Sequence, residues 1–445
     1  MMDRIFRRRI YDEMLEWKES SNGSRALLIK GARRVGKSTI VEEFAKREYL
    51  SYILINFAQQ GSDVIDLFDD LANIDYIMLR LQLIFGVNLH ERQSVIIFDE
   101  VQLCPKARAA IKFLVADGRY DYIETGSLLT LRENVKGIVI PSEEKVLMMN
   151  PMDFEEFCWA YSDDASFPLL HTLYEALEPI GQASFRKLIE KFRLYLLTGG
   201  MPQAVSALLE ENNFRHVDEV KREIIELYEA DFYKFDPSGR AARLFEAIPG
   251  NLSKNRTKIS LNAAGGGTRS KKAEILAGLV DSNTVNISHH VTNPDPAIAL
   301  SKDVDTFKLF VADTGLFVTL AFKGSRFSDN VIYEKVLSGK DGANLGFVYE
   351  NVVAQMLVAA GRDLFYTTFE KPGSTHKYEI DFLTVRKARL VPIEVKSGRS
   401  TVHSSLDAFV QKYRKKIDRA YVVYPRDLKV EDSVVFLPVF MTALI

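Results

Sequence analysis

The stretch ALLIKGARRVGKSTIVEEFAKR, residues 26–47, decides the fold of this chain. It begins with the apolar run Ala26–Ile29, which predicts a buried strand, and it ends in a run that predicts a helix. Residues 31–38 between them match the GxxxxGKS pattern of a phosphate-binding loop at every fixed position. A strand, a glycine-rich loop and a helix in this order predict an α/β fold with a nucleotide at the loop.

The residue types of this loop suit a triphosphate and its metal ion. Backbone N–H groups can close around the phosphates, and the following helix N-terminus adds positive potential. Lys37 can reach the β- and γ-phosphates, and the Ser38 hydroxyl can bind Mg²⁺. We therefore predict binding of ATP with Mg²⁺. The predicted contacts are Gly31, Arg34, Val35, Gly36, Lys37, Ser38 and Thr39.

A second motif, SVIIFDE at residues 94–100, supports the first. Val95–Phe98 is apolar, as expected for a strand buried on both faces, and two carboxylates follow it. Asp99 can hold Mg²⁺, and Glu100 can polarise the attacking water. The alternative is a surface acidic pair that caps the next helix, which the loop upstream disfavours.

A third strand, in YDYIETGSLL at residues 120–129, leads into polar residues. A polar side chain at that strand end can contact the γ-phosphate or the attacking water. Ser127 is the first candidate for this role and Thr125 is the second. A plain strand-to-loop turn explains the pattern equally well.

Composition bounds the class of protein. The 445 residues predict two or three domains, and 47% apolar and 27% charged residues are ordinary for a globular chain. The net charge of −2 indicates no global affinity for nucleic acid. Cys104 and Cys158 give no disulfide or metal framework. With no signal peptide and no apolar run of about 18 residues, we expect a cytoplasmic protein without a membrane partner.

The order of predicted elements divides the chain. Alternating strands and helices over residues 26–150 predict a parallel sheet. A helical stretch follows, with one break at Gly199–Pro202. Helices, a basic helix and a β-ribbon over residues 240–305 outline a winged helix, although a connecting helical domain is the alternative. The predicted domains are an ATPase core (1–150), a helical lid (151–236), a winged-helix-like domain (237–320) and an α/β domain (321–445).

A second group of charged residues lies near the C-terminus. Asp381 sits within the strand YEIDFLTV, and Glu394 and Lys396 lie two apart on the next strand, so they share a face. Glu350 lies inside an apolar helix, where a charge needs a partner. Glu350, Asp381 and Glu394 could bind Mg²⁺ while Lys396 orients water, as in a metal-dependent phosphodiesterase. Solvent-facing strand charges are the alternative, and such a domain can also bind DNA without cutting it.

Taken together, the motifs resemble those of a bacterial and archaeal family of AAA-type ATPases with a C-terminal DUF4143 domain. The resemblance covers nearly the whole chain. It rests on LLIKGARRVGKST, IIFDEVQ, ETGSLL, NPMDFEEF, LLTGGMPQAV, LFVADTGL, GFVYENVVAQML, EIDFLTV and PIEVKSG.

The resemblance implies further roles. It implies an ASCE-type core, in which the catalytic Glu follows the metal-binding Asp, and a lid in which Pro202 lines the adenine pocket. It implies a PD-(D/E)xK nuclease-like C-terminal domain with Asp381, Glu394 and Lys396 as motif residues. Many relatives carry an arginine where Lys145 stands here, so Arg132 is the substitute candidate for the arginine finger, with a surface charge as the alternative.

Basic residues cluster at Arg7–Arg9, Arg269–Lys272 and Lys412–Arg419. Each cluster alone is ordinarily a solvated face, but their places favour contacts with the DNA backbone. We expect a homo-oligomer that acts on duplex or branched DNA. The alternative is an ATP-driven signalling or assembly switch, whose C-terminal domain is a binding scaffold without nuclease activity.

Overall fold

The computed structural model describes residues 4–126, 143–253, 259–260, 268–323, 345–398 and 402–445. The chain forms two compact units. The first comprises residues 1–150 together with 281–283, and the second comprises the rest. Each unit is built around its own sheet. None of the helices in these ranges combines the length and the apolarity needed to cross a bilayer.

In its described residues, the first unit holds a five-stranded sheet of order β2-β3-β4-β1-β5, and every pairing in it is parallel. The predicted parallel α/β sheet is therefore confirmed. Its strands are β1 (Ala26–Lys30), β2 (Ser51–Asn56), β3 (Ser94–Asp99), β4 (Asp121–Gly126) and β5 (Glu144–Met148). Its helices are α1 (Ile10–Ser21), α2 (Lys37–Glu48), α3 (Ser62–Ile65), α4 (Ile74–Phe85) and α5 (Pro105–Asp117).

Helices cover both faces of this sheet, which explains why β3, between β2 and β4, is apolar from Val95 to Phe98. Val95 and Ile97 of β3 pack into a core with residues of α1 and α2. Ile96 and Phe98 point the other way, into a core with residues of α4 and α5. Alternate side chains of a strand face opposite sides of a sheet, so a strand covered on both sides commonly shows a continuous apolar run.

The second unit begins with helices. Its first helix carries a capping box, because Asp153 accepts from the backbone N–H of Glu156 and Glu156 accepts from that of Asp153. The helices are α6 (Phe154–Ala160), α7 (Ser166–Ala176), α8 (Gln182–Thr198), α9 (Pro202–Glu211), α10 (Phe214–Phe235), α11 (Arg240–Glu246), α12 (Ile248–Ser253), α13 (Arg269–Asp281), α14 (Thr314–Ala321), α15 (Gly346–Ala359) and α16 (Ser404–Tyr413).

Described strands of the second unit form one nine-stranded mixed sheet of order β13-β14-β12-β11-β10-β9-β7-β8-β6. The strands are β6 (Ile259–Ser260), β7 (Val285–Val291), β8 (Lys302–Val311), β9 (Leu364–Glu370), β10 (Lys377–Arg386), β11 (Arg389–Val395), β12 (Ala420–Tyr424), β13 (Lys429–Glu431) and β14 (Val434–Pro438). The antiparallel hairpin of β10 and β11 lies at its centre, with Phe382 opposite Ile393.

The middle segment of the chain shares this sheet. Residues 237–320 supply α11, α12, β6, α13, β7, β8 and all but the last residue of α14, in that order. Strand β8 lies between β6 and β7. Strand β7 also pairs in parallel with β9, which follows residue 320. The sheet therefore crosses the predicted boundary between residues 320 and 321, because backbone pairing joins elements that are remote in sequence.

The Gly199-Gly200 break is a point of close packing within the second unit. The backbone N–H of Met152 donates to the Gly200 carbonyl at 2.7 Å, and the Gly200 N–H donates to Asp313 Oδ2 at 2.5 Å. A Cβ atom on Gly200 would lie 1.9 Å from the Met152 carbonyl oxygen. Three of the sequence motifs thus meet here, and Gly200 allows their backbones to approach.

Candidate functional site

The polar residues of the first unit gather at the carboxyl ends of its parallel strands. The loop of residues 31–38 follows β1, Asp99 ends β3, and Thr125 lies near the end of β4. Helix α2 begins at Lys37, and its N-cap residue Gly36 has a φ of 98°, in the left-handed region that favours glycine. The backbone N–H groups of the first turn of α2 are thus available to an anion.

Lys37 folds back over its own loop. Its Nζ donates to the carbonyl oxygens of Gly31 at 3.0 Å and Ala32 at 2.9 Å, and the residue is buried. Burial lowers the pKa of Lys37, although Glu100 and Asp99 nearby act in the opposite direction. The ammonium group is therefore held at the mouth of the loop, where a triphosphate would carry its charge.

Asp99 is the centre of a hydrogen-bond network. Its Oδ1 accepts from the Ser38 hydroxyl at 2.7 Å and from the Thr125 hydroxyl, and its Oδ2 accepts from Asn56 Nδ2 at 2.9 Å. Asp99 is only 2% exposed. The Ser38 and Asp99 oxygens are hard donors held close together, which is the ligand chemistry that Mg²⁺ prefers. The residues present therefore fit the predicted metal.

Glu100 leaves the strand in an unusual conformation. Its φ of 54° and ψ of 45° place a non-glycine residue in the left-handed region, at the start of a 3₁₀ turn over Val101–Leu103. Its backbone N–H donates to Thr125 Oγ1 at 3.3 Å, and its carboxylate accepts from Gln102 Nε2. The backbone thus leaves the course of β3 at Glu100.

The predicted residues of this site have different outcomes. The structure brings four predicted residues together at the carboxyl edge of the sheet: Lys37, Ser38, Asp99 and Thr125. Ser127 and Arg132 lie outside the described residues. Pro202 is the first residue of α9 in the second unit, and its place beside an adenine base stays a prediction.

One predicted DNA contact is wrong. Arg8, in the Arg7–Arg9 cluster, is 5% exposed. Its guanidinium donates to the Val35 carbonyl at 3.0 Å and to the Asn150 carbonyl at 2.5 Å. A buried guanidinium with these partners cannot contact a DNA backbone. It supports the phosphate-binding loop, because the same side chain ties that loop to the chain after β5.

The C-terminal charged residues also come together, around a lysine that the sequence did not single out. Lys308 Nζ in β8 lies 2.5 Å from Glu379 Oε1 and 3.7 Å from Glu350 Oε2. Asp381 Oδ2 accepts from the backbone N–H of Val395 at 2.7 Å.

The strand pair β10 and β11 completes this arrangement. Glu394 Oε1 lies 2.5 Å from Lys396 Nζ. We call this group the carboxylate–lysine cluster; it consists of Lys308, Glu350, Glu379, Asp381, Glu394 and Lys396.

Burial and charge oppose each other in the carboxylate–lysine cluster. Burial raises the pKa of Glu350 to about 7, and it also raises the pKa of Glu379 and Glu394. Burial alone would lower the pKa of Lys308, but Glu350, Glu379 and Asp381 outweigh it and raise that pKa. Lys308 is therefore a permanent cation among acids that are costly to ionise.

The buried oxygens of this region that lack hydrogen-bond partners among the described residues include Glu379 Oε2, Glu394 Oε2 and the Tyr366 hydroxyl. The ring of Tyr366 lies 5.2 Å from Lys308 Nζ. Across the described ranges, no three His, Cys, Asp or Glu side chains are arranged to hold a metal ion. The metal-binding role of Glu350, Asp381 and Glu394 stays a prediction.

An open cleft of about 790 Å³ lies where the turn between β9 and β10 meets α16. Its lining includes exposed Lys371, Lys377 and Lys412. Phe369 and Tyr378 pack with ring centroids 5.3 Å apart, Lys371 Nζ lies 5.4 Å from the Tyr378 ring, and Lys412 Nζ lies 5.6 Å from the Phe369 ring. Of the basic run Lys412–Arg419, Lys412 faces this cleft. Lys416 instead pairs with Asp295 at 2.8 Å.

Asn56, Glu379 and Lys308 were not predicted from the sequence, although each carries a partial signal there. Asn56 lies directly opposite Asp99 in the parallel register of β2 and β3. A polar residue at the end of a neighbouring strand can thus be recognised in the sequence as a candidate site residue. Glu379 lies two residues before Asp381, as a partner on the same face of a strand would. Lys308 had one weak signal, a charge in an apolar strand.

Three family models match successive parts of the chain. Residues 23–158 match an AAA domain. Residues 189–326 match a domain of unknown function, DUF8612, and residues 345–441 match the domain of unknown function DUF4143. No curated protein is significantly similar to the chain in sequence.

Solved structures with partial likeness include the Walker-type ATPase PABY2304 of Pyrococcus abyssi. It is 15% identical with a TM-score of 0.40, covering 71% of this chain and 96% of that chain. The Aeropyrum pernix Orc1 protein in complex with DNA is 13% identical with a TM-score of 0.26, covering 74% and 95%. The Thermotoga maritima RuvB Holliday junction branch migration motor is 13% identical with a TM-score of 0.28, covering 63% and 89%. With scores this low, no conclusion about function rests on these likenesses.

Proposed function

Because the chain belongs to the family of AAA-domain proteins with a C-terminal DUF4143 domain, we propose that it hydrolyses MgATP and uses that hydrolysis to act on DNA. The family membership confirms the resemblance drawn from the motifs. The observation that carries the ATPase proposal is that four residues converge at the carboxyl edge of the first unit's sheet: Lys37, Ser38, Asp99 and Thr125.

Each residue of that edge has a role toward ATP. Lys37 leaves its loop carbonyls to neutralise the β- and γ-phosphates. Bound Mg²⁺ would be held by Ser38 and Asp99, and it would neutralise charge on the phosphate oxygens. Glu100 accepts a proton from the attacking water. Thr125 orients Asp99 and fixes the backbone of Glu100 through the bonds described above.

Two substitutions test the ATPase proposal. Lys37→Ala removes the charge partner of the phosphates, so nucleotide binding or turnover should be lost. Glu100→Gln keeps the size and the Gln102 contact, so MgATP should bind at near wild-type affinity while turnover stops. Nucleotide affinity by calorimetry and phosphate release by a coupled assay measure the two effects. Wild-type turnover by Glu100→Gln would show that the role assigned to Glu100 is wrong.

For the DNA part of the proposal, support comes from the lysine-lined cleft between the β9–β10 turn and α16. Three exposed ammonium groups beside an aromatic pair can contact phosphates without reading bases. The winged-helix-like order of elements in residues 237–320 and the nuclease-like C-terminal domain are part of the same proposal. Binding to duplex or branched DNA should then weaken steeply as salt rises, whatever the base sequence.

The DNA test uses charge reversal with a matched control. Lys371→Glu with Lys377→Glu should weaken binding of fluorescent duplex, forked or four-way DNA at least tenfold. Lys234→Glu changes another exposed lysine of the second unit, paired with Asp231, and should leave binding unchanged. ATP turnover should rise with DNA in the wild type and in Lys234→Glu, and should not rise in the double variant.

The competing role is a nucleotide switch that controls assembly with a protein partner. ATP turnover that stays constant with every DNA form, together with intact MgATP binding, would favour this switch over DNA action. In that case the C-terminal domain is a scaffold, and the cleft does not serve nucleic acid.

We also propose a head-to-tail homo-oligomer, in which one subunit supplies an arginine to the γ-phosphate of the next. Such a finger contributes roughly 10³–10⁵ in rate where it has been measured. Light scattering with MgATP and DNA present should show an oligomer, and loss of turnover in Arg132→Ala would identify the finger. A monomer under these conditions contradicts this arrangement.

A further inference from the structure

Lys308 lies where a nuclease-like domain would need a metal ion. Its side chain is only 5% exposed and extends from the central part of β8. Its ammonium group contacts Glu379 at 2.5 Å and lies 3.7 Å from Glu350. Helix α15 supplies Glu350, strand β10 supplies Glu379, and strand β8 supplies the lysine. Two acids and one base thus meet at one buried point.

Each acid of the carboxylate–lysine cluster has a partner supplied by the chain. Glu350 and Glu379 face Lys308. Asp381 accepts from the backbone N–H of Val395 at 2.7 Å, and Glu394 contacts Lys396 at 2.5 Å. One oxygen of each acid therefore faces a lysine or a backbone amide. Glu379 Oε2 and Glu394 Oε2 are buried without a hydrogen-bond partner among the described residues.

This donor set does not fit a divalent metal. Mg²⁺ requires near-octahedral oxygen ligands at about 2.0–2.1 Å. An ion held by Glu350 would lie close to the Lys308 ammonium, and like charges repel strongly where little water screens them. Lys308 cannot retreat into solvent, because its side chain is 5% exposed and its ammonium group lies against Glu350 of α15 and Glu379 of β10.

We infer that Lys308 replaces the metal ion in this domain: its ammonium group neutralises Glu350 and Glu379, and the domain does not cleave phosphodiesters. This goes beyond ATP hydrolysis and does not depend on it. Of the two roles that the sequence leaves open for the C-terminal domain, the cluster favours binding without cutting.

The first test measures Mn²⁺ binding to the full chain without nucleotide, from the electron paramagnetic resonance signal of free Mn²⁺. Glu350→Gln should leave the binding isotherm of the wild type unchanged, because Glu350 holds a lysine and no metal. Any Mn²⁺ bound at Ser38 and Asp99 is common to both proteins and cancels. A wild-type site that Glu350→Gln removes would overturn the inference.

The second test creates the missing site. Lys308→Met keeps an unbranched side chain and removes the charge, so the acids should bind Mn²⁺ at least tenfold more tightly than in the wild type. Adding Asp381→Asn should abolish that gain. A folded Lys308→Met variant, judged by unchanged ATP turnover, that gains no Mn²⁺ affinity would refute the inference. Should this variant not fold, the Glu350→Gln comparison alone decides.

The third test looks for cutting directly. The wild-type chain is incubated with linear, forked and four-way DNA in Mg²⁺ or Mn²⁺, beside Asp381→Ala prepared in parallel. We expect equal product in both samples, at the level of a protein-free control. Cleavage at least tenfold above that control, lost in Asp381→Ala, would overturn the inference.

Discussion

Replacing Gly200 by alanine should destabilise the second unit by about 3 kcal/mol or more. The added Cβ would lie 1.9 Å from the Met152 carbonyl oxygen and 2.6 Å from its nitrogen, so the backbones must separate. That separation breaks the Met152 bond to Gly200 and the Gly200 bond to Asp313. A neutral bond contributes about 1 kcal/mol and a bond to a carboxylate about 1.5–3 kcal/mol.

Urea unfolding followed by tryptophan fluorescence measures this effect. The chain has two tryptophans, Trp17 in the first unit and Trp159 in the second, so a Trp17→Phe background reports on the second unit alone. A loss of about 3 kcal/mol shifts the urea midpoint by about 1 M or more.

The matched control is Gly250→Ala within α12, where an added Cβ would meet no atom within 4 Å. Alanine is a better helix former than glycine, so this control should be neutral or stabilising by up to about 1 kcal/mol. A Gly200→Ala protein within about 0.5 kcal/mol of the wild type would refute the packing argument.

Three further perturbations test other parts of the structure. Arg8→Met removes the two bonds that hold the phosphate-binding loop, so calorimetry should show MgATP affinity falling about tenfold. Arg7 is exposed, so Arg7→Met is the control and should bind MgATP as the wild type does. Equal affinities for both variants would contradict this role. Thr125→Val should lower kcat about 10- to 100-fold with little change in KM, because Asp99 and the backbone of Glu100 lose a positioning hydroxyl; an unchanged kcat counts against it. Burial lowers the pKa of His289 from 6.5 to about 4, so the folded state resists its protonation, and its contribution to stability is complete above pH 6.5 and is lost towards pH 4. His289→Gln should therefore flatten the decline of unfolding free energy over that window, and an identical pH profile would exclude this contribution.

The residues at the carboxyl edge of the first unit's sheet were predictable wherever their sequence signal is local. The loop of residues 31–38, the acids Asp99 and Glu100 and the alternation of strands and helices each depend on residues close together in the chain. Fixed spacings specify such features, because a glycine-rich turn and a helix N-terminus form from a few consecutive residues. The parallel sheet follows from the alternation, because parallel strands need long crossover connections.

Tertiary structure alone decided which distant residues meet. Arg8 belongs to a basic run that suggested DNA, yet it is buried against the Val35 carbonyl. Gly200 marks a helix break in the sequence, yet its lack of a side chain is needed by Met152. Such contacts depend on how complete elements pack, and no local pattern encodes that packing.

The carboxylate–lysine cluster shows the same division most clearly. The spacing of Asp381, Glu394 and Lys396 on adjacent strands predicts them as a group, and this prediction needs only the sequence. Lys308 comes from a strand more than seventy residues upstream of Asp381, and it joins the cluster because β7 and β8 extend the C-terminal sheet. A sequence pattern can nominate acids for a metal site. Only the order of strands in the folded sheet decides that a buried lysine lies among them, because pairing between remote strands sets which side chains share a face.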